Sequence, residues 1–227
     1  MNLSVIIPVY NEEKYLEEII ARVANTKLVY EIICVDDGST DQSKNLLKSL
    51  SEDRNIPLKV LTHPQNRGKG AAIKTGLSIA SGDLVLIQDA DLEYNPKDYE
   101  ALIKPFNEKC VHVVYGSRNL IRNPKSSLAF YYGGRLLSIL TNIIYGSKIT
   151  DESTCYKVFK TELLRDLNLE NEGFDFCPEV TAKILKQKIK IHEVPISYSP
   201  RSRNEGKKIR WYDGIIAIWT LLKYRIR

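Results

Sequence analysis

The sequence predicts an α/β fold in which helices flank a mostly parallel β-sheet. Short apolar runs rich in β-branched residues alternate with segments whose apolar residues recur at helical spacing. This alternation is typical of parallel strands joined by right-handed crossover helices. The chain has 227 residues, 43% hydrophobic and 27% charged, which is an ordinary globular composition. We therefore expect one domain over residues 1–227.

The predicted elements follow in regular order from the N-terminus. Leu3–Val9 is the first strand, because it is apolar and β-branched throughout, as a strand covered on both faces should be. Asn11 is expected to cap the next helix, with Glu12 and Glu13 in its first turn. Further strands are predicted at residues 31–35, 58–61, 83–87, 111–115 and 191–198, and further helices near residues 46–50, 71–80, 96–106, 131–145 and 178–188.

Acidic side chains follow the fourth predicted strand in the segment Gln88-Asp-Ala-Asp-Leu-Glu93. Carboxylates at the tip of a buried strand need a partner, because an unpaired buried charge is costly. A divalent cation shared with a diphosphate is one such partner, since Mg²⁺ prefers one or two carboxylates with phosphate oxygens and water. A simpler interpretation is that Asp89 and Asp91 cap the following turn. Ligands of open α/β sheets bind at the carboxyl ends of strands, which favours the metal interpretation.

Two earlier strand ends should lie at the same edge of a parallel sheet. Tyr10, after the first strand, offers an aromatic face, and Asp36 or Asp37, after the second, offers an acceptor for a base or a ribose. Lys69 lies in a glycine-flanked loop at a helix start, where amides and the helix dipole favour anions. The alternative for Lys69 is a solvated surface lysine. The sequence has neither a Walker loop nor a dinucleotide fingerprint.

Cysteine spacing and hydropathy indicate a reduced cytoplasmic compartment. The chain has four cysteines and three histidines, with no C-x-x-C pair and no histidine cluster, so structural zinc and a disulfide scaffold are not expected. No signal peptide is recognised, and no run approaches the ~20 apolar residues of a membrane span.

The basic character of the chain belongs to its tail. Residues 201–227 contain eight Lys or Arg and two acidic residues, whereas the whole chain has a net charge of only +5. Trp211, Ile215, Trp219 and two further apolar residues, Ile218 and Leu222, share one side of a predicted helix. This composition is typical of an interfacial helix on an anionic membrane. Packing on the core of the domain or in a dimer is the alternative, and nucleic-acid binding is a poorer fit.

Taken together, these segments resemble glycosyltransferase family 2, of the GT-A type. Ser4-Val-Ile-Ile-Pro-Val-Tyr-Asn-Glu-Glu13, Val35-Asp-Asp-Gly-Ser-Thr-Asp41, Asn66-Arg-Gly-Lys-Gly70 and Gln88-Asp-Ala-Asp-Leu-Glu93 occur in the order and spacing of that family. The later part resembles the dolichol-phosphate (polyprenol-phosphate) mannosyltransferase branch of that family. The segments that carry this resemblance are Gly116-Ser-Arg118, Thr150-Asp-Glu-Ser-Thr-Cys-Tyr-Lys-Val-Phe-Lys160, Gly173-Phe-Asp-Phe-Cys-Pro-Glu179 and Glu193-Val-Pro-Ile-Ser-Tyr198. The second of these resembles the acceptor-side loop of the branch.

The resemblance implies an inverting, metal-dependent transfer of a hexose from a GDP- or UDP-sugar to a polyprenyl phosphate, with Mg²⁺ or Mn²⁺ as cofactor. It implies a nucleotide-sugar-binding half at residues 1–117, an acceptor half at 118–200 and the basic amphipathic tail at 201–227. The implied metal ligands are Asp89, Asp91 and Glu93, and the implied nucleotide contacts are Pro8, Tyr10, Glu12, Asp37, Lys69 and Asp89. The implied acceptor contacts are Arg118, Arg135 and Arg201. The implied catalytic residues are Asp91, Arg118 and Asp151.

The acceptor is the least determined part of this interpretation. Asp151 is needed as a base only for a hydroxyl acceptor, because a phosphate monoester with a second pKa near ~6 is already largely ionised at pH 7. The family motifs are altered at residues 153–156 and 201–208, which leaves a saccharide or another lipid open as acceptor. A non-catalytic nucleotide-sugar-binding scaffold is the alternative of another class. We expect a cytoplasmic protein attached peripherally to the membrane, with a homodimer or a membrane-protein partner as further options.

Overall fold

The computed structural model describes residues 1–125, 127–201 and 208–227. The strands are β1 Leu3–Val9, β2 Val29–Asp36, β3 Leu58–Thr62, β4 Leu84–Ile87, β5 Val113–Ser117, β6 Lys157–Lys160 and β7 Ile191–Pro195. In this part of the chain they form one seven-stranded sheet in the order β3-β2-β1-β4-β6-β5-β7. Every neighbouring pair is parallel except the two pairs that β6 makes. The predicted α/β class with a mostly parallel sheet is confirmed.

Helices flank the sheet, and most of them bury their apolar sides against it. They are α1 Leu16–Ala24, α2 Ser43–Ser51, α3 Lys69–Ile79, α4 Tyr99–Ile103, α5 Leu128–Tyr145, α6 Thr161–Asp166, α7 Phe176–Lys186 and α8 Trp211–Ile226, with 3₁₀ turns at Pro96–Asp98 and Lys104–Asn107. In α1 the residues at helical spacing, Leu16, Ile19, Ile20 and Val23, are all fully buried in the main core.

The register of the parallel strands brings the motif-bearing strand ends together. Val9 of β1 is paired with Asp36 of β2, and Ile6 of β1 is paired with Ile87 of β4. Because these strands run in the same direction, the segments that follow them leave the sheet at one edge. The predicted common edge for the ends of β1, β2 and β4 is therefore present.

The sequence patterns predict no strand at residues 157–160, but the structure has one there, β6. β6 has only four residues, Lys157 to Lys160, and a lysine at each end hides it from a hydrophobic pattern. Lys157 is nevertheless fully buried, and its Nζ donates to the carbonyl oxygens of Glu152 at 2.6 Å and Thr154 at 2.7 Å. β6 lies antiparallel between β4 and β5, so the loop before it, residues 150–156, arrives at the same edge as the ends of β4 and β5.

The start of the first helix also differs from the prediction. Asn11 was expected to be its N-cap, but α1 begins only at Leu16. Asn11 instead has a positive φ of 50°, and its side chain accepts the backbone N–H of Thr40 at 2.8 Å. Asn11 therefore joins the turn after β1 to the turn after β2.

The tail helix α8 packs on its own domain through one face only. Ala217, Leu221 and Tyr224 are buried in a second apolar cluster with Leu137 of α5 and Ala182 of α7. The opposite face, predicted from helical spacing, remains accessible, with Trp211 74% and Trp219 66% exposed. Residues 202–207, which include most of the altered closing motif and part of the basic tail, lie outside the described residues. Within the described ranges, no helix is both long and apolar enough to cross a membrane.

Candidate active site

The segment after β4 places three acidic residues at the edge of the sheet. Asp91 is 7% exposed, and its Oδ1 accepts the backbone N–H of Glu93 at 3.0 Å. Its Oδ2 accepts Nη2 of Arg201 at 2.7 Å. Burial, together with the charges of Asp89 and Glu93, raises the pKa of Asp91 to about 7, although Arg201 opposes this. Asp91 is thus a carboxylate held in a site that favours additional positive charge.

Asp89 has a different partner. Its carboxylate pairs with the ammonium of Lys69, and the charge and hydrogen bond of Lys69 lower the pKa of Asp89 against the effect of burial. Lys69 is only 15% exposed, and its Nζ also lies 3.7 Å from Sγ of Cys155. Lys69 is therefore a largely buried lysine paired with Asp89, and the solvated-surface alternative is wrong.

The amides at the start of α3 are already occupied. The N–H of Gly70 donates to Gly173 O at 3.2 Å, and that of Ala71 donates to Glu172 O at 3.0 Å. A Cβ on Gly68 would lie 2.4 Å from Glu172 O, so this close approach requires glycine. The anion site expected from the amides of this helix start is not supported, because two of them donate within the chain.

Asp37 holds the glycine loop in place. Its Oδ1 contacts Nδ1 of His63 at 2.6 Å and accepts the N–H of Arg67 at 3.0 Å. Its Oδ2 accepts the N–H of Gly68 at 2.7 Å. Both oxygens of the carboxylate assigned to the nucleoside are therefore engaged within the protein.

The neighbouring Asp36 offers a freer acceptor. It is fully buried, its Oδ1 accepts the N–H of Ser39 at 3.2 Å, and its Oδ2 has no hydrogen-bond partner among the described residues. Asp36 lines a cavity of about 440 Å³ together with Lys44 and His63. Of the two aspartates considered as acceptors, Asp36 is the one with an oxygen that lacks a hydrogen-bond partner, although that oxygen is buried.

The end of β1 meets basic residues of the C-terminal segment. Glu12 accepts Nη1 of Arg201 at 3.0 Å and Nζ of Lys208 at 2.7 Å. Nζ of Lys208 also contacts the carbonyl oxygen of Tyr10, and it lies 5.6 Å from the centroid of the Tyr10 ring. Pro8 is one residue inside the strand end, paired with Val35. Tyr10 and Glu12 thus border the Asp91 group, as the motif order predicts.

Glu93 and Arg201 complete this group. Glu93 accepts Tyr198 Oη at 2.8 Å and the backbone N–H of Arg201 at 2.7 Å. Arg201, expected at the acceptor phosphate, directs its guanidinium to Glu12 and Asp91. Arg201 thus joins the residues to which the resemblance assigns the nucleotide and the metal. The missed member of the group is Lys208, which the sequence shows only as one of many basic tail residues.

A second group forms at the end of β5. Arg118 donates through Nε to Asp151 Oδ2 and through Nη2 to Asp151 Oδ1, both at 2.7 Å, and its backbone N–H donates to Oδ2 at 2.9 Å. The N–H of Asp151 in turn donates to Glu193 at 3.0 Å. Asp151 is 1% exposed. Its carboxylate therefore orients Arg118, since both oxygens already accept from it.

Beside this pair lies a cavity of about 210 Å³ with a basic lining. Arg118, Arg122, Lys125 and Arg135 line it, with Asp151 as the acidic residue among the lining positions. The resemblance implied Arg135 as an acceptor contact beside Arg118, and both line this cavity. Arg122 and Lys125 were not predicted, because they follow β5 in a loop without periodicity. The sequence signal that could have identified Arg122 and Lys125 is that they follow the Gly116-Ser-Arg118 segment closely. An anion is the ligand that this lining favours.

The residues fit a divalent cation in one specific way. Among the described residues, no three or more His, Cys, Asp or Glu side chains converge on a common point. The structure therefore does not unite Asp89, Asp91 and Glu93 as one ligand set, and Lys69 already holds Asp89. Asp91 alone provides a hard oxygen at the strand end, which suits a cation that takes its other ligands from a diphosphate and water.

Comparison with known proteins places the chain in a family. Residues 4–167 match the model of "Glycosyl transferase family 2", which is more than half of the chain. The chain belongs to glycosyltransferase family 2, and its fold is the GT-A fold of that class.

Two archaeal relatives are similar over most of this chain. A dolichol-phosphate mannosyltransferase of Pyrococcus furiosus is 32% identical over 91% of this chain and 59% of its own length. A UDP-N-acetylglucosamine–dolichyl-phosphate N-acetylglucosaminyltransferase of Methanococcus voltae is 32% identical over 90% of this chain and 89% of its own. The chain thus spans less than two thirds of the Pyrococcus relative.

Solved structures share the fold at low identity. A glucosyl-3-phosphoglycerate synthase of Mycobacterium tuberculosis, crystallised with Mn²⁺, UDP-glucose and phosphoglyceric acid, superposes with a TM-score of 0.76 at 20% identity, covering 99% of this chain and 79% of that one. A structure of the same enzyme with UDP gives the same TM-score over 80% of its chain.

Proposed function

We propose that this chain is an inverting, metal-dependent glycosyltransferase that moves a hexose from a GDP- or UDP-sugar to a polyprenyl phosphate. The observation that carries the proposal is the basic cavity lined by Arg118, Arg122, Lys125 and Arg135. It lies at the end of β5, at the same edge of the sheet as Asp91. The two archaeal relatives named for dolichyl-phosphate acceptors support it.

The state of Asp151 favours a phosphate acceptor over a hydroxyl acceptor. A hydroxyl needs a base to accept its proton, and the base must be able to direct an oxygen toward that hydroxyl. Both oxygens of Asp151 accept from Arg118. A phosphate monoester is already largely ionised at neutral pH and needs only to be held, which Arg118 and Arg135 can do. Asp151 then serves by fixing the direction of the Arg118 guanidinium.

On the donor side, Asp91 is the residue that would hold Mg²⁺ or Mn²⁺ on the diphosphate. When bound, the metal would neutralise the negative charge that develops on the leaving nucleoside diphosphate. Lys69, fixed against Asp89, adds a second positive charge at this edge. Pro8, Tyr10 and Glu12 border the nucleoside position, and Asp36 offers the free acceptor beside Asp37.

An apolar surface formed by α5 and α8 supports a lipid acceptor. Of the nineteen large apolar residues that are exposed in the described chain, twelve lie on these two helices. We call this the α5–α8 surface: Leu128, Tyr132, Leu136, Ile139, Ile143, Trp211, Tyr212, Ile215, Ile216, Trp219, Leu222 and Ile226. The two helices pack on each other through the second apolar cluster. Tyr145 Oη of α5 also donates to Leu221 O of α8 at 2.7 Å. A patch of this kind marks an interaction site.

A membrane surface fits the α5–α8 surface best. Aromatic and aliphatic side chains with Lys and Arg nearby are typical of interfacial helices. The basic cavity is lined in part by Tyr131, Gly134 and Arg135 of α5, which is one of the two helices of the apolar surface. A lipid whose tail remains in the bilayer could thus present its phosphate to Arg118. Peripheral attachment at the cytoplasmic face is the localisation we propose.

The test is a transfer assay with matched acceptors. Purified chain is incubated with Mn²⁺ and labelled GDP-mannose, UDP-N-acetylglucosamine or UDP-glucose, together with a polyprenyl phosphate, the same polyprenol without phosphate, or phosphoglycerate. We expect transfer to the polyprenyl phosphate alone, from one preferred donor, and mannose is the sugar that the resemblance favours. Equal transfer to polyprenol or to phosphoglycerate would contradict the acceptor assignment, and binding without transfer from any donor would favour a scaffold.

A further inference from the structure

Two cations of the C-terminal segment, Arg201 and Lys208, occupy the carboxylates of the proposed donor site. Arg201 spans Glu12 and Asp91 with one guanidinium, and its backbone N–H donates to Glu93. Lys208 adds a contact of 2.7 Å to Glu12. The pairs of Arg201 are internal, since its side chain is 11% exposed and the side chains of Glu12 and Asp91 are each 9% exposed. Lys208 is more open, with 34% of its side chain exposed. Screening by solvent is therefore weak for the pairs of Arg201.

We infer that Arg201 and Lys208 are counter-cations that compete with the divalent metal for the carboxylates and pass to the donor diphosphate when metal and nucleotide bind together. The inference rests on the proposed function, because it takes a metal-bound diphosphate as the ligand. It assigns to Arg201 a role on the donor side, and it adds Lys208 as a residue of the site.

The competition follows from a shared atom. Oδ2 of Asp91 accepts Nη2 of Arg201 at 2.7 Å, and the same oxygen is an available ligand atom for a cation at the strand end. A divalent cation on Asp91 would face the positive guanidinium at close range. Like charges at such a separation repel strongly in a buried setting. The metal alone must therefore displace Arg201.

Charge balance explains why a diphosphate changes the outcome. Glu12, Asp91 and Glu93 are three carboxylates, and Arg201 and Lys208 are two cations. Counted over these five described residues, all ionised, the group has one net negative charge, and a divalent cation alone would make it positive. A diphosphate brings negative charge and acceptor oxygens, so Arg201 and Lys208 gain new partners as they lose the carboxylates. A guanidinium suits phosphate oxygens well.

The consequence is coupling between metal and nucleotide. Two ligands are coupled when one changes the affinity of the other, and the factor is the same in both directions. Wild-type chain should bind Mn²⁺ weakly without nucleotide and much more tightly with GDP or UDP. Removing the charge of Arg201 should raise the affinity for Mn²⁺ alone and reduce the coupling factor.

The experiment measures Mn²⁺ binding to the full chain by electron paramagnetic resonance of free Mn²⁺, with and without GDP or UDP. Arg201→Gln and Lys208→Gln are compared with wild type. Arg22→Gln is the matched control. It removes the same charge elsewhere, since Arg22 pairs with Glu18 on the exposed side of α1. Thermal unfolding of each variant verifies that it is folded.

We expect Arg201→Gln to bind Mn²⁺ alone about tenfold more tightly than wild type, because the repulsion between the guanidinium and the metal is lost. Lys208→Gln should change in the same direction, and Arg22→Gln should not. The double variant Arg201→Gln/Asp91→Asn should lose the gain. The coupling with nucleotide should fall in both single variants.

Unchanged or weaker Mn²⁺ binding in Arg201→Gln and Lys208→Gln would overturn the inference, as would a gain that survives Asp91→Asn. Failure of the proposed function has a different signature. If neither GDP nor UDP binds any variant in the presence of Mn²⁺, the donor assignment is wrong, whereas the comparison with Mn²⁺ alone still decides whether Arg201 competes for Asp91.

Discussion

Arg118 and Asp151, 33 positions apart in the chain, form a two-point ion pair with both side-chain contacts at 2.7 Å. The pair joins the end of β5 to the loop that precedes β6. It converts a flexible arginine into a fixed guanidinium at the rim of a basic cavity. The proposed acceptor side is therefore built around an oriented cation.

We expect Arg118→Ala to weaken the acceptor far more than the donor. Loss of charge-assisted hydrogen bonds to a phosphate costs ~1.5–3 kcal/mol, so the KM for polyprenyl phosphate should rise roughly 10- to 100-fold. Arg135→Ala should act in the same direction. Steady-state kinetics with each substrate varied in turn measures both effects. A collapse of donor affinity with an unchanged acceptor KM would contradict the assignment.

We expect Asp91→Ala to abolish transfer and to leave the fold intact. Asp91 is the proposed metal ligand, and the metal provides the charge that stabilises the leaving group. EDTA should abolish wild-type transfer, and Mn²⁺ or Mg²⁺ should restore it. Asp53→Ala, at an exposed turn, is the control. Full transfer by Asp91→Ala, or transfer that is insensitive to EDTA, would rule out this role.

Glu31 should make stability depend on pH. This buried carboxylate accepts from Ser4 at 2.6 Å, Lys59 at 2.6 Å and the N–H of Ser81 at 2.6 Å. These hydrogen bonds, with Lys59 the strongest, lower the pKa of Glu31 to about 2 although burial opposes them. A lowered pKa stabilises the fold at pH values above the unfolded pKa near 4.5, and this contribution is lost as the pH falls toward 2.

The matched measurement uses Glu31→Gln and the exposed control Glu52→Gln. At pH 7 we expect Glu31→Gln to lower the free energy of unfolding by about 2 kcal/mol, after allowing for the solvent exposure of Lys59. The difference from wild type should shrink as the pH falls below 4.5. A difference that stays constant from pH 7 to pH 3 would show that the ionisation of Glu31 is not its source.

Vesicle binding should depend on the α5–α8 surface. We expect the full chain to sediment with anionic vesicles at low salt and to be released by high salt, since each basic residue near the surface contributes ~1 kcal/mol. Trp219→Ser and Ile143→Ser should weaken this binding, because both side chains are exposed. Tyr30→Ser, an exposed aromatic on β2, is the control.

Deletion of residues 209–227 is a less suitable variant, because it would also remove Leu221 and Tyr224 from the second apolar cluster. Equal sedimentation of Trp219→Ser, Ile143→Ser and wild type would leave the α5–α8 surface for another partner, such as a second copy of the chain.

The sequence predicts the parallel part of the fold well, because β1 and β4 are continuous apolar runs followed by polar motifs. β6 was missed because its burial includes a lysine, and a buried Lys157 can be recognised only when its carbonyl partners are known. The tail was ambiguous for a related reason. α8 has apolar residues on two sides, and only the structure shows that Leu221 packs inward while Trp219 does not.

The sequence predicted which residues belong to the candidate site, but not which groups each of them contacts. Motif order identified Asp37 and Asp91, but a sequence does not show which acceptor oxygens are already used. Asp37 is engaged by the loop at Gly68, and Asp91 is engaged by a guanidinium 110 positions away. Contacts over such separations depend on the tertiary fold, and no local pattern encodes them.

The antiparallel insertion of β6 has a geometric consequence for catalysis. Because β6 lies between β4 and β5, the strand that leads to Asp91 and the strand that leads to Arg118 are held two strand spacings apart, ~10 Å. That interval is about the length of a sugar ring with the groups on either side of it. The backbone ladder therefore sets the interval between the proposed donor and acceptor positions. Side-chain substitutions at either end could change specificity without altering that interval.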